Sequence, residues 1–304
     1  MNEFMHDDRL ARITLSYVID SHDEGGMRWL SMVTPEEAVT HLRKLDVDNA
    51  MPEARTWKAR LIEAPDPASV LAKMEALGGG VLIPSDPEWP VALNDLGDSR
   101  PICLYYRGKP QNIPPLTSAV AITGSRDCTS YGAATTGDLA YSLAQRGVTI
   151  ISGGAYGVDA HAHRAALAGY QSSMGYAPTI SVMAGGVDRY YPSGNGDLLR
   201  AIAPAGGLIL SELPPGYAPT RYRFIQRHRI IAALAGTTLI PEARWRSGAL
   251  GMAHQAKALG RHVAAVPGSV HSANSMGCHR LIRDGVATLV GTADELIELH
   301  KATA

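Results

Sequence analysis

Two hydrophobic rhythms divide the chain. Over residues 8–19 and 35–45 apolar positions recur at spacings of three and four, the period of a helix with one buried face. Thr34-Pro35-Glu36-Glu37 reads as a helix start, with proline at the first helical position and glutamate behind it. Residues 1–66 are therefore expected to form a small helical N-terminal domain, ended by Ala64-Pro65-Asp66-Pro67. Residues 81–84 and 102–106 are short strand-like runs on either side of a turn-rich segment. From Ser118 the rhythm changes: short apolar runs at 119–123, 148–152, 179–183, 208–211, 237–240, 262–266 and 287–290 alternate with alanine-rich helical stretches such as 138–145 and 247–259. Short strands without polar alternation, separated by helices, belong to a parallel sheet covered on both faces. The fold class expected over residues 67–304 is α/β, an extended Rossmann-like, doubly wound, mainly parallel sheet. Such sheets bind ligands beyond the carboxyl ends of their strands.

Composition adds little until charge is divided along the chain. The 304 residues carry a formal net charge of −1, with 45% hydrophobic and 19% charged residues, ordinary for a globular protein. No run of about 18 apolar residues is present to span a membrane. The acidic, polar start MNEFMHDDRL does not suit a secretory signal. Cys103, Cys128 and Cys278 form no C-x-x-C pair and read as idle thiols in a reducing cytoplasm. Residues 213–283, however, hold ten basic side chains and one acid, Glu242, about +9 against about −10 for the remainder. Four of the arginines fall in RYRFIQRHR (221–229). Either one face binds anions or the arginines are dispersed over the surface.

The strand ends supply the candidate chemistry. Gly124-Ser125-Arg126 follows the first parallel strand; glycine admits an anion to backbone amides, and Ser125 and Arg126 supply donors, although the same residues also suit a plain turn with a solvated charge. Gly153 and Gly154, followed by Tyr156, Gly157 and Asp159, repeat the pattern, as do Gly185 and Gly186 ahead of Tyr190 and Tyr191, which offer stacking surfaces or loop packing. Asp159, His161 and His163 suggest a metal, but only the first and last share a helical face, too few ligands for a site. Arg223, Arg227, His228 and Arg229 arrive after the fourth strand, with Arg227 expected on the first turn of a helix and aimed at the glycine loops. Arg244, Trp245, Arg246 and Ser247 follow the fifth, with Ser247 as helix cap. Neither G-x-G-x-x-G nor G-x-x-x-x-G-K-[ST] occurs. A row of glycine loops, helix N-termini and arginines interleaved with aromatics fits a polyanion with bases stacking on side chains.

These motifs resemble the DNA-processing protein A (DprA/Smf) family. The resemblance rests on Gly124-Ser125-Arg126, Ser152-Gly153-x-Ala155-x-Gly157-Val158-Asp159-x-x-Ala162-His163, Tyr191-Pro192-x-x-Asn195, Ser211-Glu212-x-Pro214-Pro215-Gly216, Arg227-x-Arg229-Ile230-Ile231-Ala232, Glu242-Ala243-x-x-x-Ser247-Gly248 and Val266-Pro267-Gly268, in matching order over residues 64–290. It implies an extended Rossmann fold, a cytoplasmic homodimer, and single-stranded DNA as partner, protected and passed to a RecA-type recombinase during natural transformation, with no catalysis and no cofactor. Gly124, Ser125, Arg126, Gly153, Arg227 and Arg229 would line the DNA groove. The chain differs from the family pattern at His228, where asparagine is usual, at Tyr156, where a basic residue is common, and at Ile225, where proline is common. It stops shortly after the Rossmann part, so the winged-helix domain of many members is not expected. A nucleotide-binding sensor or phosphoribohydrolase-like enzyme of the same superfamily is the alternative; the P-G-G-x-G-T-x-x-E motif of such enzymes is absent.

Overall fold

The computed structural model describes residues 2–170 and 175–301. Five helices come first: α1 (Asn2–Val18), α2 (Glu24–Leu30), α3 (Pro35–Lys44), α4 (Pro52–Glu63) and α5 (Pro67–Ala76). The start of α3 is as expected, with Thr34 and Glu37 closing a reciprocal capping box and Pro35 at its first turn. Apolar faces of α1 to α4 meet around Leu15, Val39, Leu42 and Trp57, while α5 turns Val70 and Met74 toward the sheet.

Nine strands form one sheet: β1 (Gly79–Leu82), β2 (Leu104–Gly108), β3 (Ala119–Ile122), β4 (Thr149–Ser152), β5 (Thr179–Val182), β6 (Leu208–Ser211), β7 (Thr237–Ile240), β8 (His262–Ala265) and β9 (Thr288–Leu289). Their order is β1-β2-β6-β5-β4-β3-β7-β8-β9. Pairing is parallel from β6 through to β9; only β2 runs against its neighbours. The strands from β3 to β7 are buried throughout, which explains their unalternated apolar sequences. Helices α6 (Ser130–Gln145), α7 (Val158–Gly169) and α13 (Ala293–Lys301) pack on one face around Val120, Ile122 and Ile150. Helices α10 (His228–Ala233), α11 (Gly248–Ala258) and α12 (Met276–Arg283) pack on the other around Ala121, Ile151 and Ile240. Helix α8 (Gly196–Ile202) covers the β6 side.

Two features differ from the sequence expectation. The turn-rich segment before β2 contains a 3-10 stretch, Val91–Ser99, and seats Trp89 and Leu93 in the core. The basic stretch 221–229 is not the start of one helix; α9 (Arg221–Gln226) and α10 meet at Arg227, which ends one and begins the other.

The chain order sends β4, β5 and β6 to one side of β3 and β7, β8 and β9 to the other. The loops leaving β3 and β7 therefore diverge, opening a crevice at the carboxyl ends of these neighbours, the topological switch point.

Candidate nucleic-acid interface

A pocket of about 330 Å³ fills this crevice. Its walls come from the β3–α6 loop (Thr123 to Asp127), the start of α7 (Ala155, Asp159), the α9–α10 junction (Arg227, His228), and the β7–α11 loop with the first residues of α11 (Arg244, Arg246, Ser247, Gly248, Ala249). Of the residues singled out from sequence, Gly124, Ser125, Arg126, Arg227, His228, Arg246 and Ser247 meet here.

The glycines allow close packing between the loops. A Cβ on Gly124 would collide with the Glu242 carbonyl and crowd Val158; one on Gly153 would collide with the Arg227 guanidinium. Gly186 packs against Pro214 and Pro215, and Gly185 against Tyr217 and Pro219. Glycine is required here because the loops approach one another. Gly153, Gly154, Gly185 and Gly186 stand outside the pocket wall.

The arginines separate into two classes. Arg227 is 4% exposed. Its Nη1 donates to the carbonyls of Gly153 and Val182, and Nη2 lies 3.6 Å from the Asp159 carboxylate. Burial lowers its pKa to about 10, against the opposing pull of Asp159, so it stays protonated at neutral pH. Arg229, 5% exposed, faces away from the crevice, donating to both carboxylate oxygens of Glu212 (2.8 and 2.5 Å), to the Ser99 carbonyl and to Ser21. Arg223 lies over Tyr217, 4.8 Å from the ring centroid, on a different cavity. Six of the ten basic residues in 213–283 are paired with carboxylates from outside that segment: Arg227, Arg229, Arg244, Arg261, Arg280 and Arg283. Five carboxylates therefore offset about half of the +9 of the sequence in space; Arg227, although it lines the pocket, and Arg229, which does not, are buried in ion pairs rather than displayed with free charge along the groove as expected. Their charge is used to fasten the α9–α10 junction to the strand ends.

Two arginines at the crevice keep exposed charge. Arg126 and Arg246 form no ion pair among the described residues, and they stand on the two diverging loops. Arg126 is held by stacking, 4.7 Å from the centroid of Phe224, and Arg227 lies at the same distance from that ring. Arg244 is shared with Asp127, whose carboxyl is held below the usual range first by the Ser125 hydroxyl and then by Arg244. His228 lines the wall as a neutral imidazole: burial, with Arg227 and Arg126, lowers it to about 3.

The helix N-termini also divide. The start of α6 is occupied internally: buried Glu242 accepts the Thr129 amide (2.8 Å) and hydroxyl (2.7 Å), and Thr129 caps the helix. At the start of α7, Asp159 accepts the Thr123 hydroxyl (2.9 Å) and the Ala155 amide (3.1 Å). His163 does not join Asp159; it meets the Thr179 hydroxyl at 2.7 Å. No cluster suited to a metal occurs among the described residues. Among the described residues helix α11 is capped only by the neutral Ser247 hydroxyl, and its first residues line the pocket. Its positive end thus meets the crevice without an internal carboxylate.

Aromatics flank this region. Tyr156 and Tyr191 are 48% and 47% exposed, and Tyr191 meets Phe224 edge-on at 5.8 Å. Tyr190, in contrast, is tied to Arg107 and Arg200 and is no free stacking surface. Sequence reasoning missed Phe224 as the ring that orients Arg126 and Glu242 as the anchor of α6. Both lie within motifs it quoted or beside them, but their partners are distant in sequence.

The sequence profile of the family described as DNA recombination-mediator protein A matches residues 80–301. A DprA-named relative from Mycobacterium tuberculosis is 41% identical over 276 residues, 88% of this chain and 68% of the relative. The DNA processing protein DprA of Streptococcus pneumoniae is 36% identical over 213 residues, 70% of this chain and 71% of that one. Among solved structures, DNA processing protein A from Streptococcus pneumoniae superposes with a TM-score of 0.72 at 28% identity, covering 98% of this chain and 97% of that one. DNA processing protein A from Helicobacter pylori, described for its single-stranded DNA binding mode, superposes with a TM-score of 0.61 at 31% identity, covering 69% and 91%.

Proposed function

Because this chain belongs to the DNA recombination-mediator protein A family, we propose that it binds single-stranded DNA at the switch-point crevice and serves as a recombination mediator. One observation carries the reading: two exposed guanidiniums without carboxylate partners among the described residues, Arg126 and Arg246, stand on opposite loops beside the open N-terminus of α11. A phosphate seated there receives charge-assisted bonds from both arginines and amides from α11. Bases of the flanking nucleotides reach Tyr156 and Tyr191. The binding mode described for the Helicobacter pylori relative supports the choice of a single strand.

Within this reading Gly124, Ser125, His228 and Ser247 shape the wall, while Gly153, Gly154, Gly185, Gly186, Arg223 and Arg229 hold or border the loops that carry it. The 67–304 unit provides the DNA contacts, and the helical 1–66 unit reaches the α9–α10 junction through Ser21. The protein acts by binding and protecting the strand and by handing it to a RecA-type recombinase, as a cytoplasmic homodimer in DNA uptake, without a catalytic step.

Anisotropy of labelled oligo-dT at several salt concentrations tests this. The logarithm of affinity should fall linearly with that of salt, by about 0.7 per phosphate contacted. Arg126→Ala and Arg246→Ala should each weaken binding, and the double variant should lower the slope by about that amount. Salt-independent binding, or an unchanged slope in the double variant, contradicts the proposal. Recombinase filament growth on a strand coated with single-strand-binding protein, with and without this chain, tests the mediator step. Sedimentation velocity tests the dimer.

A further inference from the structure

We propose that Trp245, together with Arg280 and Arg283, is a second base-stacking subsite, taking a nucleobase of the strand as it leaves the crevice. The proposal rests on the single-strand reading above. Arg244 and Arg246 both line the crevice, but Trp245 between them does not. Its ring lies toward α12, with the guanidinium carbons of Arg280 and Arg283 at 4.9 and 5.7 Å from its centroid. It remains 42% exposed, an unusual amount for the largest apolar side chain of a folded protein.

The subsite is built rather than incidental. The amide of Gly277, at the start of α12, donates to the Ala243 carbonyl at 2.8 Å, and a Cβ on Gly277 would crowd the carbonyls of Ala243 and Arg244. Helix α12 is thus fixed against the backbone that presents Trp245, and the subsite keeps its register with Arg246. Arg280 and Arg283 share a single carboxylate, Asp284, at 3.4 and 3.3 Å, so the three side chains retain net positive charge. A flat ring bordered by two planar cations suits a stacked base whose phosphate lies alongside. An acidic peptide would use the cations but leave the ring face unmatched.

The four tryptophans make the test direct. Trp57 and Trp89 are buried and Trp29 stacks on Trp57, so quenching by DNA, read as the difference between the protein and its Trp245→Phe variant, reports Trp245. Oligo-dT of about 16 nucleotides should quench Trp245, and a dinucleotide, short enough to sit in the crevice alone, should not. Trp245→Ala should weaken binding of the long oligomer by about 5- to 100-fold, with the short one unchanged and Trp245→Phe retaining most of the affinity. Arg280→Ala with Arg283→Ala should reduce the salt slope for the long oligomer only. Wild-type fluorescence unaltered by saturating long oligomer overturns the inference whatever the variants' folding, as does wild-type affinity in a folded Trp245→Ala. Either result leaves the crevice reading intact; that reading fails separately if Arg126→Ala and Arg246→Ala do not weaken the short oligomer.

Discussion

Replacing Arg227 by methionine separates a phosphate contact from a structural fastening. The guanidinium is 4% exposed, lies 3.6 Å from the equally buried Asp159, and donates to the Gly153 and Val182 carbonyls. Methionine fills much of the volume but leaves Asp159 buried with only the Thr123 hydroxyl and the Ala155 amide. Removing one side of a buried pair costs about 3–5 kcal/mol. At about 2–4 °C per kcal/mol for a chain of this order of size, Tm should fall on the order of 10 °C. Below the transition the folded variant should keep the wild-type salt slope for oligo-dT, because no phosphate contact has been removed. Asp159→Asn in the same chain should cost less than the two single losses together, a coupling of about 0.5–3 kcal/mol. Thermal unfolding by circular dichroism and anisotropy against salt give both readings. Arg227→Met with an unchanged Tm and a slope reduced by about 0.7 would refute the assignment and place the guanidinium on the strand.

Three further outcomes follow from neighbouring geometry. Arg229→Met or Glu212→Leu alone should destabilise by about 3–5 kcal/mol, and the two together by much less, since the pair is then replaced by apolar packing; urea unfolding measures all three. Gly124→Ala, whose Cβ meets the Glu242 carbonyl, should cost about 1–3 kcal/mol, whereas Gly248→Ala, with only the His228 Cε1 at 3.5 Å, should be tolerated or slightly stabilising by the same assay. His163 is pushed down to about 3, chiefly by burial and then by Arg227 and Arg164, while its unfolded value is 6.5. The unfolded state binds the extra proton between those values, so this stability is full above pH 6.5 and is lost as pH falls toward 3. About 2–3 kcal/mol should disappear between pH 6.5 and 4.5, and His163→Asn should flatten that part of the curve.

The sheet was legible because its strands are buried on both faces and so read as unbroken apolar runs; β6 and β7 begin and end where the runs do. Helix α6 begins eight residues before the expected stretch, because Thr129 and Glu242 cap a segment whose glycines and threonines mask its period. The convergence of Gly124, Arg126, Arg227 and Ser247 was legible from their common position after parallel strands. Which arginine remained available was not. The partners of Arg227 and Arg229 are Asp159, in the first turn of α7, and Glu212, just after β6, and local sequence shows charge without showing what neutralises it. The packing role of the glycines was hidden for a related reason: a residue without a side chain looks the same whether it admits a ligand or a neighbouring carbonyl.

The most direct measurement is a crystal structure of the protein with a short oligo-dT. The account predicts a phosphate within hydrogen-bonding distance of both Arg126 and Arg246, facing the first amides of α11, with Arg227 and Arg229 still on their carboxylates. A strand lying elsewhere, with Arg126 and Arg246 left to solvent, would contradict it.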